Sequence, residues 1–126
     1  MRKDDTVQLN QKRKIVSAGI LDRRAVLLVL SDNFLGQTFV LDKPSVFIGR
    51  DSSCDFHIDD PLISKKHCSV TSEKDGHFVL QDLESTNSTY LNGKILKKAH
   101  TLTYGDRIII GDTILRFFHE ENFETK

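Results

Sequence analysis

Four short polar groups carry the side chains in this chain best suited to grip an anion: Gly49-Arg50, Ser64-Lys65-Lys66-His67, Ser85-Thr86-Asn87 and Asn92-Gly93. Arg50 supplies a planar fork of charged N–H donors that matches phosphate oxygens, and Lys65 a second cation. Ser64 adds a rotatable hydroxyl, and Asn87 an amide able to bind an extended peptide backbone. Each group sits in a turn-like stretch between short apolar runs. The chemistry they imply together is a grip on a phosphate carried by a peptide.

Two catalytic or metal readings compete for the same residues. Ser64 with His67, or with His57, could suggest a small hydrolase, but no G-x-S-x-G elbow surrounds Ser64 and no carboxylate is placed to orient a histidine. Cys54-x-x-His57 with His67-Cys68 could suggest a metal site. Adjacent residues of a strand point to opposite faces, so His67 and Cys68 do not easily hold one ion. No catalytic residue, metal or other cofactor is therefore expected, and a phosphate-dependent assay without turnover or metal separates the readings.

The elements that must position these groups read as strands. Short β-rich segments fall at 25–30, 39–41, 46–48, 56–58, 67–71, 78–82, 107–110 and 114–118, with Tyr90-Leu91 and Lys94-Ile95 flanking Asn92-Gly93. No useful length of the region shows helical recurrence of apolar residues. Lys74-Asp75-Gly76 and Asn92-Gly93 read as type I′ hairpin turns, and Gly111-Asp112 as a turn between the last two strands. The expectation is an all-β fold, a two-sheet antiparallel β-sandwich with binding loops at one end.

Composition sets the outer bounds. The 126 residues suit one domain, large enough to bury a core without disulfides. The 18 basic and 18 acidic residues leave no excess charge to suggest nucleic acid or a membrane surface. Two cysteines, Cys54 and Cys68, are too few for a secreted framework and read as free thiols in a reducing compartment. No apolar run approaches the ~18 residues of a membrane helix, and the amino terminus lacks a signal core, so the chain reads as cytoplasmic. Residues 1–24 are polar and mixed in charge and read as a flexible arm; 25–118 form the domain, and 119–126 the start of a linker to a missing domain.

The order and spacing of the four polar groups resemble the forkhead-associated family across residues 25–118. That resemblance implies a phosphothreonine-reading β-sandwich of about eleven strands that is not itself an enzyme. By position, Arg50, Ser64 and Lys65 would hold the phosphate, and Thr86 and Asn87 the peptide backbone. His67 would be architectural, and Gly49, Asn92 and Gly93 structural support. Leu62 would read the ligand residue three places after the phosphothreonine and favour an apolar one, with Asp59 and Asp60 repelling acid. Ser88 departs from the pattern, since glycine is common there.

The implied partners are a phosphothreonine protein and a Ser/Thr kinase. One candidate ligand lies within the chain: Thr6, followed three places later by Leu9, on an arm able to span ~60 Å, which permits binding in cis or in trans. Segments 25–30 and 113–118, with their acidic continuation, also resemble modules that precede bacterial diguanylate cyclases, implying a sensory input to cyclic di-GMP signalling. The remaining alternative is a scaffold that kept the fold and does not bind phosphate.

Overall fold

The computed structural model describes residues 25–120. The expectations placed on residues 1–24, Thr6 among them, and on 121–126 lie outside it. Eleven strands follow in order: β1 Ala25–Val29, β2 Thr38–Val40, β3 Ser45–Gly49, β4 Phe56–His57, β5 Cys68–Ser72, β6 Phe78–Asp82, β7 Thr89–Leu91, β8 Lys94–Ile95, β9 His100–Thr101, β10 Arg107–Ile110 and β11 Thr113–His119, with a 3-10 turn at Asp32–Phe34. They form a five-stranded sheet, β9-β6-β5-β3-β4, and a six-stranded sheet, β2-β1-β11-β10-β7-β8. Among the described residues, no helix is long and apolar enough to cross a membrane.

The period of two in the apolar residues builds the sandwich. Ala25, Leu27 and Val29 face inward from β1, Val46 and Ile48 from β3, Ile108 and Ile110 from β10, and Leu115 and Phe117 from β11, all buried. Aromatic pairs knit the core: Phe39 stacks on Phe56 at 4.7 Å between ring centres, and Phe78 meets Phe117 at 5.6 Å. Each such buried side chain contributes about 1.5–3 kcal/mol.

Three local expectations change. The sheets are not wholly antiparallel, because β3 and β4 pair in parallel through Ile48 with Phe56 and Gly49 with His57. The turn after β5 is not type I′. Only Gly76 has a positive φ, 91°, and its amide donates to the Glu73 carbonyl, while the Glu73 amide donates to His77; this is a type I turn closed by a glycine bulge. Strand β9 was not foreseen: two exposed residues, paired with Leu80 and Val79 of β6, leave no periodic signal to read. Asn92 and Gly93 do form the type I′ turn, with φ of 52° and 84°.

Gly49 is glycine because another stretch of the chain passes directly against it. It ends β3 and is not among the positive-φ residues, yet a Cβ there would lie 2.0 Å from the Lys65 carbonyl oxygen and 2.9 Å from the Cys54 Sγ. The chain after β3 is pressed against the chain before β5, where the Arg50 and Asp51 amides donate to the Ser64 and Lys65 carbonyls at 3.0 and 3.2 Å. The nearest obstacle, the Lys65 carbonyl, is backbone and cannot yield cheaply. Gly49→Ala is expected to destabilise the domain by about 3 kcal/mol or more, measured by urea denaturation.

Candidate functional site

Three chain segments converge at one end of the sandwich: 49–51 leaving β3, 60–67 entering β5, and 82–88 between β6 and β7. His67, fully buried, ties the last two together. The Ser64 amide donates to its Nδ1 at 3.0 Å, and its Nε2 lies 2.9 Å from the Ser88 carbonyl. An amide can only donate and a carbonyl only accept, so the ring is the neutral tautomer with its proton on Nε2. Both nitrogens are thus committed to backbone. Ser64 and His67 meet through the Ser64 amide rather than its hydroxyl, which leaves the imidazole misplaced to take a proton from that hydroxyl.

The Ser64 Oγ accepts from the Thr86 amide at 3.0 Å, and its own proton is donated to no described residue. Arg50 is aimed by its Nε, which donates to the Ile63 carbonyl at 2.9 Å; its terminal nitrogens donate to no described residue. Asn87, exposed, donates through Nδ2 to the Leu62 carbonyl at 2.9 Å, joining the second loop to the first. The Lys65 side chain is exposed beside them while its carbonyl is held by the Asp51 amide and the Cys54 thiol. Leu62 is 45% exposed on the same rim. Arg50, Ser64, Lys65, Thr86, Asn87 and Leu62 are therefore gathered at one end.

Asn92 and Gly93 are not brought there. They lie past the far end of β7, where the Asn92 side chain donates to Asp106 at 3.0 Å and accepts from the Arg107 amide at 2.9 Å. Lys66 also turns away, its ammonium 5.6 Å from the centre of the Phe47 ring.

Two buried or half-buried carboxylates, not foreseen as site residues, hold the rim in place. Asp60 is 2% exposed, so it does not act as the surface acid expected of it; Asp59 does remain exposed. The Asp60 carboxylate accepts from the Leu62 amide at 2.9 Å, the Asp112 amide at 2.8 Å and the Thr113 hydroxyl at 2.8 Å. It fastens the Leu62 loop to the β10–β11 turn, where a Cβ on Gly111 would meet Asp60 Oδ2 at 2.9 Å. Asp82 accepts from the Ser85 hydroxyl at 2.5 Å, the Ser85 amide at 3.1 Å and the Thr89 hydroxyl at 2.6 Å. Burial works against its charge, but these hydrogen bonds outweigh it and hold Asp82 below the ordinary carboxylate value. The spacing Asp82-x-x-Ser85 was the available signal.

Ser88, where the resembled pattern has glycine, adopts φ 69° and still presents its carbonyl to His67. Cys54 and Cys68 are free and buried, and burial raises both thiols above their ordinary value. Among the described residues, no three His, Cys, Asp or Glu side chains converge as a metal site.

A β-sandwich whose end loops are fixed by internal hydrogen bonds, with charged and hydroxyl donors left facing outward, defines a recognition module. The model of the FHA domain family matches residues 46–111. Glycogen accumulation regulator GarA of Mycolicibacterium smegmatis is 33% identical over 79% of this chain and 61% of its own length. Proliferation marker protein Ki-67 of Mus musculus is 35% identical over 65% of this chain and 2% of its own. A solved structure from work on phosphothreonine-dependent FHA domain interactions superposes with a TM-score of 0.70 at 26% identity, covering 78% of this chain and 98% of that one. The chain belongs to the FHA domain family. It spans under two thirds of the length of these two relatives.

Two measurements probe the loop supports. Because the Asp82 pKa is lower folded than unfolded, its stabilising effect is complete above the unfolded value of about 3.9 and is lost as pH falls through the folded value. The stability deficit of Asp82→Asn against the parent should therefore shrink below about pH 4 in acid denaturation series. Ser88→Gly, which relieves a left-handed serine at some cost in unfolded-chain entropy, should raise stability by up to about 1 kcal/mol in thermal melts.

Proposed function

We propose that this domain reads phosphothreonine on protein partners and acts as a non-catalytic regulatory module in Ser/Thr kinase signalling. One observation carries the reading: Arg50 and Ser64 are held in place by internal hydrogen bonds, yet the Arg50 terminal nitrogens and the Ser64 hydroxyl proton donate to no described residue. A phosphate with a charge near minus two supplies the acceptors they lack. Lys65 adds charge at the mouth. Thr86 and Asn87 take the peptide backbone, with the Asn87 carbonyl oxygen still available while its amide nitrogen braces the Leu62 carbonyl. His67 serves by holding both loops at the right separation, and it does so without touching the ligand.

Leu62 then sets selectivity, favouring an apolar ligand residue three places after the phosphothreonine. Thr6 with Leu9 fits that rule, so the chain's own arm, once phosphorylated, is a ligand in cis or in trans. The solved relative from work on phosphothreonine-dependent interactions supports the phosphate reading, and the regulator GarA supports the regulatory one. A finer reading makes the domain the input of a cytoplasmic bacterial diguanylate cyclase. It rests on segments 25–30 and 113–118, which supply β1 and β11, paired neighbours in the six-stranded sheet.

Isothermal titration with a phosphorylated and an unphosphorylated Thr6 peptide tests the reading. Each charge-assisted contact is worth about 1.5–3 kcal/mol, so Arg50→Ala should weaken phosphopeptide binding roughly 10- to 150-fold, and Ser64→Ala by less. Unchanged affinity in Arg50→Ala would remove the mechanism. Binding of other phosphothreonine peptides but not of this one would remove only the arm as ligand.

A further inference from the structure

The outer face of the six-stranded sheet carries two apolar rows where a solvent-facing antiparallel sheet is normally polar. Cross-strand partners share a face, so the registers define its rows. Ile95 lies beside Tyr90, Tyr90 beside Ile109 and Ile109 beside Ile114 in one unbroken row across β8, β7, β10 and β11. Nearer the other end, Phe118 lies beside Val26 and Val26 beside Val40, across β11, β1 and β2. Between these two runs a mostly polar row, Thr38, Leu28, Arg116 and Arg107, in which Leu28 alone is apolar. Tyr90, Ile95 and Val40 are 38%, 45% and 51% exposed. A six-stranded sheet is about 25 Å across, so the two apolar rows, joined only through Leu28, make a surface of the size that marks a contact site.

We propose that residues 15–21 of this chain's own arm dock on that face. The arm enters the fold at Ala25, the first residue of β1, whose next residue Val26 already belongs to the apolar surface. Ile20 and Leu21 lie four to five residues before Ala25, and Ile15 and Val16 nine to ten before it, so the segment reaches across at most ~35 Å, enough for either row. Val16 and Ile20 fall on one face whether the segment is helical or extended, because a separation of four satisfies both periods. The direction also fits. β1 runs from Ala25 toward Ser31, whose hydroxyl accepts from the Ile114 amide, beside the Thr113–Asp60 contact that supports the Leu62 loop. An arm lying back along this face heads toward the loop end and brings residues 1–14 near it. The contact is apolar and goes beyond the phosphothreonine reading, since it needs no phosphate.

The test uses the full unphosphorylated chain carrying Ser17→Cys and a nitroxide spin label. Cys54 and Cys68 are buried, and the parent chain treated identically controls for their labelling. Methyl signals of Leu28, Ile109 and Ile114 should lose more than half their intensity, while Val79, outward on the opposite sheet, keeps its own. Adding Val16→Glu and Ile20→Glu should restore the lost intensity. Equal intensities on both sheets would overturn the proposal. So would broadening of an unlabelled, isotope-enriched chain when mixed with a labelled one, which would mean that the face takes a second copy.

Discussion

The His67 imidazole, buried between the Ser64 amide and the Ser88 carbonyl, is the contact on which the loop end of this sandwich depends. Loops at the end of a sheet carry backbone groups that no ladder satisfies, and leaving one buried and unpaired costs about 1–3 kcal/mol. A neutral imidazole is well shaped for the task, with one acceptor and one donor on opposite sides of a rigid ring. It fixes the distance between two loops that are 21 residues apart in sequence. The Ser64 hydroxyl and the Asn87 amide, one on each loop, owe their separation to it.

The remaining supports follow the same logic. Gly49 lets backbone touch backbone, so that Arg50 leaves β3 already laid across Ser64 and its Nε can reach the Ile63 carbonyl. Asp60 and Asp82 each collect three donors and turn a carboxylate into a bracket, one beneath the Leu62 loop and one beneath the Ser85–Thr89 loop. Preorganisation of this kind lowers the ordering cost when a ligand binds, because the loops have little freedom left to lose. It also explains why the open donors are few: they are what remains after the loops have satisfied themselves.

Much of this was legible in the residue pattern. The period-two runs at Val46 and Ile48, or at Ile108 and Ile110, announced strands because a sheet with one buried face enforces alternation. Asn92-Gly93 announced its turn because few other pairs adopt two successive positive φ angles. The two-residue strand β9 was not legible, since so short and exposed a stretch has no period and is fixed by the neighbour it pairs with. Asp60 was misread for a related reason: beside Asp59 and Pro61 it looks like a solvated loop acid, and only the approach of the β10–β11 turn, more than fifty residues later, makes it a buried acceptor.

The sequence by itself determined the all-β class, the strand periods, most turns and the four polar groups in their order, because each is written in residues close together along the chain. Tertiary structure alone decided which groups meet. It joined Arg50, Ser64 and Asn87 at one rim, sent Asn92 and Gly93 to the far end of β7, and consumed the nitrogens of His67 and the carboxylates of Asp60 and Asp82 as internal supports. Those outcomes depend on contacts between distant segments, where the geometry of hydrogen bonds and close backbone approach, rather than residue type, settles what a side chain is left free to do.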